Sequence, residues 1–442
     1  MGMLSRFFGL QAAGTTVRTE VVAGVTTFLT MAYIIFVNPS ILSEAGMPAS
    51  SVFVATCLVA ALATIIMGLL ANYPVACAPG MGLNAYFAFA VVQGMGYKWE
   101  TALGAVFISG CLFLLLTLVG LRSALITAIP TSIRSGITAG IGLFLGIIAL
   151  KSAGIVVANP ATLVGLGNLH QPTVLLSILG FLAIVALDAL KIRGAILIGI
   201  LLVTALSFAV GGNTFHGLVS MPPSIAPTFL KLDIAGALSG GIWHVVLVFF
   251  LVELFDATGT LMGVAQRAGL MPRVPAGAGR DAPTDRRMRR ALFADSAAIV
   301  AGSVLGTSST TAYVESAAGV QAGGRTGLTA VVVALLFLAA LFFSPLAGAV
   351  PAYATAPALL YVACLMLRDI GELPWHDATE SVPAILTVVA MPFTYSIANG
   401  IAFGFISYAA LKLLTGRART VAPAVWVIAA IFLLRYAYLG AG

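Results

Sequence analysis

The sequence predicts an all-α polytopic membrane protein, fourteen transmembrane segments in a 7+7 inverted repeat, and three observations carry that prediction. The 442 residues are 60% hydrophobic and only 8% charged, with a mean hydropathy of +1.08, whereas a soluble domain carries about a quarter charged residues. Apolar runs recur at roughly the 17–25 residues needed to cross a hydrocarbon core of about 30 Å. In each half the third run is interrupted by Gly, Pro, Ser or Thr at a matching place.

The runs begin with Glu20–Leu42 and Ser51–Ala71. A Gly-rich third element, Pro74–Val92, precedes Thr101–Gly120, Ile133–Leu150, Val174–Leu190 and Gly194–Val210. The second half reads Gly240–Val264, Arg290–Gly306, a short element at Thr310–Val320, Thr326–Phe343, Ala347–Leu367, Val382–Ser396 and Gly400–Leu414. Val421–Tyr438 is also apolar, and Arg435 within it leaves open whether it spans or lies at the interface. Met1–Gly9 lacks a cleavable signal pattern. Cys57, Cys77, Cys111 and Cys364 all fall in apolar runs, which argues against a disulfide framework or a metal cluster.

Loop charge supports the count, because cytoplasmic loops collect Lys and Arg. With Arg6 and Arg18 inside, the ends of even-numbered spans carry Arg122, Lys191 and Arg193, Arg325, Arg368, then Lys412, Arg417 and Arg419. The loop after the eighth holds Arg267, Arg273, Arg280, Arg286, Arg287, Arg289 and Arg290. Asn38–Ser50 and Gly211–Ala235, on the other side, hold almost none. The net charge of +7 therefore reads as membrane orientation. The basic loop lacks the interleaved aromatics of a nucleic-acid site, and its Pro, Gly and Ala suit a flexible linker.

Seven runs per half force the halves into opposite orientations. The interruptions are Pro74-Val-Ala-Cys-Ala-Pro-Gly-Met-Gly-Leu-Asn84 and Gly306-Thr-Ser-Ser-Thr-Thr-Ala-Tyr-Val-Glu-Ser316. Paired breaks in two inverted halves point to a transporter binding site, since non-helical backbone at membrane depth survives only where protein buries it or a cavity solvates it.

Ionisable groups within spans are costly and are functional candidates by default. Glu253 and Asp256 stand at i,i+3 in the eighth span with Thr260 one turn further, all on one helix face; Glu315 lies in the second break. A carboxyl in low dielectric holds a proton more readily, so one of the three acids is expected to exchange a proton while another accepts hydrogen bonds from substrate N–H groups. Asn84 both donates and accepts, which suits a heterocycle edge or a clamp on the opened backbone. His244 reads as interfacial, Asp188 as a membrane-edge partner of Lys191, and Asp295 as a partner of Arg289 or Arg290. Phe28, Tyr86, Phe87 and Tyr313 lie near the breaks, where aromatics stack on a ligand or merely pack.

These residues carry a resemblance to the nucleobase–ascorbate transporter superfamily, in its AzgA-like guanine/hypoxanthine/adenine permease branch. It runs over nearly the whole chain through Thr26-Thr-Phe-Leu-Thr-Met-Ala-Tyr33 with Asn38-Pro39, Ala78-Pro-Gly-Met-Gly-Leu-Asn-Ala-Tyr86, Leu254-Phe-Asp-Ala-Thr-Gly-Thr260, Thr310-Thr-Ala-Tyr-Val-Glu-Ser316 and Pro392-Phe-Thr-Tyr-Ser-Ile-Ala-Asn-Gly400. The resemblance implies a core domain of spans 1–4 and 8–11 (residues 1–120 and 236–345, with the basic loop 265–289). A gate domain of spans 5–7 and 12–14 (residues 121–235 and 346–442) completes it. Short antiparallel strands in spans 3 and 10 are implied, with an elevator-like movement of core against gate. It further implies a bacterial inner-membrane location with the N-terminus cytoplasmic, proton symport with no cofactor beyond the proton gradient, dimers in some members, and purine nucleobases as substrates. By motif match the candidate substrate contacts are Asp256, Glu315, Asn84, Glu253, Thr260, Gly82 and Val314, with Glu315, Asp256 and Glu253 as proton-coupling candidates and no metal. Uracil-transporting relatives often carry His where Thr260 stands, a departure that fits the purine branch.

Two other classes stay in view. A sulfate- or bicarbonate-type carrier of the same architecture should favour a basic or neutral site, whereas this site holds three acids; a uracil or xanthine permease is an alternative within the family. A membrane enzyme should show a metal-ligand cluster, a Ser/His/Asp set or a nucleotide loop, and the sequence has none of these patterns.

Overall fold

A computed structural model describes residues 3–122, 128–210, 217–239, 242–270 and 286–439. Arg273 and Arg280 of the basic loop, residues 211–216 of the long loop and Gly240 lie outside the described residues. The chain is mainly helical, and nine helices among the described residues are long and apolar enough to cross a bilayer.

The first span is two helices, α1 (Val17–Met31) and α2 (Ile34–Ser43), stepping at Ala32–Tyr33. Thr16 caps α1 by accepting from the Thr19 N–H at 3.2 Å, satisfying one of the orphan donors of a helix start. Then come α3 (Ala49–Ile66), strand β1 (Cys77–Pro79), the one-turn α4 (Met81–Ala85) and a wider π-helical stretch over Tyr86–Gly94. Pro74 and Pro79 lack an N–H, so no α-helix can run through this stretch unbroken. Helices α5 (Trp99–Val119), α6 (Thr131–Ser152), α7 (Pro172–Ala189) and α8 (Ala195–Val210) complete the first half. A hairpin that the periodicity does not announce, β2 (Val156–Asn159) with β3 (Leu163–Leu166), lies between α6 and α7.

The second half holds α9 (Trp243–Arg267), α10 (Arg286–Leu305), strand β4 (Thr310–Ala312), α11 (Ser316–Gln321), α12 (Gly327–Ala340), α13 (Ala352–Met366), α14 (Ala378–Phe393) and α15 (Ile397–Leu414). The run at Val421–Tyr438 forms α16 (Pro423–Leu439). It lies antiparallel along α15, since the Tyr436 hydroxyl near its end donates to Asn399 Oδ1 near the start of α15 at 2.9 Å.

Both interrupted elements contain a strand, and the strands pair with each other. β1 and β4 are antiparallel, with Cys77 opposite Ala312, Ala78 opposite Thr311 and Pro79 opposite Thr310. The Gly80 N–H donates to the Ser309 carbonyl at 2.9 Å and the Tyr313 N–H to the Ala76 carbonyl at 2.9 Å, extending the ladder at both ends. Gly306 opens the second break at φ +88, a conformation that favours glycine, and a Cβ there would collide with Thr228. The tiny sheet and the helices beside it are buried, so its backbone groups find partners in protein instead of water.

Candidate substrate site

The site is built where α9 runs past the β1–β4 pair. Along α9 the stripe Asp256, Gly259, Thr260 and Gly263 is exposed or partly exposed, although it lies inside the span. A Cβ on Gly259 or Gly263 would meet nothing within 4 Å, so the two glycines leave a crevice along one face of the helix. The crevice runs from Asp256 past Gly263. It closes one turn above Asp256, where Glu253 on the same face is fully buried.

Asp256 reaches the sheet: a Cβ on Gly80 would lie 3.9 Å from Asp256 Oδ2 and 3.2 Å from Thr311 Cγ2. Glu315 follows β4 and is partly exposed, with Val314 before it 56% exposed. Both acids border the strand pair, Asp256 at Gly80 and Glu315 three residues after the end of β4. Glu315 is oriented from the far end of the chain, because the Tyr33 hydroxyl, at the step between α1 and α2, donates to Glu315 Oε1 at 2.6 Å. The opening therefore presents two acids, one steered by a phenol, beside interrupted backbone.

The other candidates lie behind this surface. Glu253 Oε2 accepts from the Ser109 hydroxyl of α5 at 2.9 Å, and the Ser309 hydroxyl of the second break is its other hydrogen-bonding neighbour. The Asn84 side chain is fully buried. Its amide N–H donates to Asn38 Oδ1, while Asn38 Nδ2 donates to Thr56 at 2.7 Å and Thr307 at 2.9 Å. This amide chain ties the first break to α2, α3 and the start of the second break. Gly82 lets α4 approach α6, where a Cβ would lie 2.5 Å from Ile141 Cγ2.

The Asp295 expectation needs correcting. Its partner is Arg122, at 3.2 Å, with both side chains buried. Arg122 follows α5 and reaches inward, where its guanidinium also stacks 4.1 Å from the Phe113 ring centroid. Asp295 Oδ1 in turn accepts from the Ala312 N–H at 3.0 Å and the Thr311 hydroxyl at 3.4 Å. A buried ion pair thus holds β4 by its backbone. The nearby aromatics pack against protein: Phe28 against Phe337, Tyr86 against Phe249, and the Tyr313 hydroxyl donates to the Pro79 carbonyl at 2.6 Å. Tyr33, Arg122 and Asn38 were not among the sequence candidates; Tyr33 and Asn38 did fall in the motifs quoted above, which was the available signal. Two cavities of about 690 and 740 Å³ lie elsewhere and contain neither Asp256 nor Glu315.

Interrupted elements from two halves of a helical membrane protein, meeting beside an acid-lined cleft, are a transporter's architecture rather than an enzyme's. The chain belongs to the permease family Xan_ur_permease, whose model, described as "Permease family", matches residues 18–403. It is 52% identical over 440 residues to the adenine permease AdeP of Escherichia coli K12, covering 100% of this chain and 97% of the relative. It is 45% identical over 438 residues to the guanine/hypoxanthine permease PbuO of Bacillus subtilis 168, covering 97% and 99%. Among solved structures it is similar in fold to the transmembrane domain of the cyanobacterial bicarbonate transporter BicA, with a TM-score of 0.65 at 15% identity over 86% of this chain and 96% of that one.

Proposed function

We propose that the protein imports purine nucleobases (adenine, hypoxanthine, guanine) by proton symport. The observation that carries this reading is the near-full-length identity to permeases named for purines. The exposed Asp256 on α9 and the partly exposed Glu315 in the second break supply the chemistry. A purine offers ring and exocyclic N–H donors, which carboxylates accept, and carbonyl or ring-nitrogen acceptors, which backbone N–H groups of the breaks can meet. Glu315, held by Tyr33, and Asp256 are the contacts and the proton carriers; Val314 and Thr260 shape the opening, while Gly82 sets the approach of α4 to α6. Asn84 in the first break and Glu253 behind the crevice are the remaining substrate-contact candidates, and Glu253 is the third proton-coupling candidate.

In this reading fourteen spans form a 7+7 inverted repeat. The core (1–120 and 236–345) shifts against the gate (121–235 and 346–442) in an elevator-like movement, in a bacterial inner membrane with the N-terminus in the cytoplasm. The likeness to a bicarbonate transporter concerns fold alone, and an acid-rich opening disfavours an anion. Uptake of radiolabelled adenine, hypoxanthine and sulfate into one batch of proteoliposomes tests the assignment. The purines should accumulate against their gradient only while a proton gradient stands. Sulfate accumulation with purines excluded would replace the reading with the anion carrier.

A further inference from the structure

Away from the crevice, a cavity of about 690 Å³ opens between α5, α9 and α16. Leu112 and Leu115 of α5, Leu247 and Phe250 of α9, and Ile431 and Leu434 of α16 give it apolar walls. Arg435 stands in this lining, next to Trp243 and His244 from the first turn of α9. The arginine is 7% exposed, its Nη1 is buried without a hydrogen-bond partner, and among the described residues it joins no ion pair. Its neighbour Tyr436 bonds to Asn399 near the start of α15. That places Arg435 at the end of the helices opposite Arg267, Lys412 and Arg417.

An arginine cannot shed its charge in a protein, and a buried guanidinium without a counter-charge is costly at membrane depth. A small solvent anion would match the cation but leave the leucine and phenylalanine walls unfilled. Trp243, 53% exposed beside the cation, is the residue type that marks the headgroup level of a bilayer. We infer that this cavity binds an anionic phospholipid, its phosphate against Arg435 and one acyl chain along the walls formed by α5, α9 and α16.

The test uses the full chain, purified in mild detergent, delipidated, and titrated with dioleoyl phosphatidylglycerol, dioleoyl phosphatidylcholine, oleate or inorganic phosphate. Thermal unfolding and native mass spectrometry are the readouts. Phosphatidylglycerol should bind about fivefold more tightly than phosphatidylcholine, the scale of one cationic side chain at a lipid headgroup. It should also raise the unfolding temperature. Arg435→Gln should erase the preference. Leu247→Trp, which fills the slot and keeps the cation, should remove the stabilisation by phosphatidylglycerol. Equal binding of the two phospholipids to the unaltered protein, a full response to phosphate or oleate alone, or either variant behaving like the parent would overturn the assignment.

Discussion

The open acids and the sealed acids lie on neighbouring elements yet are held in different ways. Asp256 is exposed and Glu315 partly exposed, the latter held by the Tyr33 phenol. Glu253 and Asp295 are fully buried, one bonded to Ser109 and the other clamped between Arg122 and the β4 backbone. The contrast teaches that an acid inside a span is not by itself a ligand contact.

Substitutions should separate the pairs. Asp256→Ala or Glu315→Ala should lower purine uptake by at least about 100-fold, because a substrate donor is left without its acceptor, while unfolding in detergent stays near that of the parent. If both variants still transport near normally, the open pair is not the binding site. Arg122→Ala should do the reverse to stability: a buried carboxylate stripped of its partner costs about 3–5 kcal/mol. The double variant with Asp295→Ala should lose less than the two single losses added together. Simple additivity in that cycle would mean that the two residues stabilise the fold independently.

Tyr33→Phe sharpens the open side. It removes one hydrogen bond to Glu315 and leaves the packing, so transport affinity should fall by about tenfold without loss of folded protein. The smallest effect belongs to a carboxylate outside the spans. Asp377 caps α14, accepting from the Thr379 hydroxyl at 2.7 Å and its N–H at 2.9 Å, and these bonds hold its carboxyl below the ordinary range. A depressed folded value means the contribution is present at neutral pH and disappears as pH falls through that value. Asp377→Ala should therefore lower the unfolding temperature by under about 2 °C at pH 7, and the difference from the parent should vanish in acid.

Much of the helical layout was legible in the sequence because a bilayer demands long apolar runs and leaves charge at their ends. The two interruptions were legible for the same reason, since Pro79 and the Ser/Thr run at 307–311 cannot continue a clean apolar helix. The alignment of Glu253 with Asp256 on one face also followed from helical spacing. Depth along that face did not: whether a carboxyl is open or sealed depends on the glycines that hollow the helix at 259 and 263 and on Ser109 of another helix. The pairing of Asp295 with Arg122, distant in sequence, beat the nearer Arg289 and Arg290 because tertiary packing, not chain proximity, set the partner. Tyr33 and Glu315 are likewise joined only by the fold. The hairpin at β2 and β3 was missed because its alternation is short and lies in a loop.

The pairing of β1 with β4 has one more consequence. Three residues from each half are stitched edge to edge, with further bonds from Gly80 and Tyr313 at the margins. Neither break can tilt or slide without dragging its counterpart along, so the two halves of the chain share a single yoke beside the crevice.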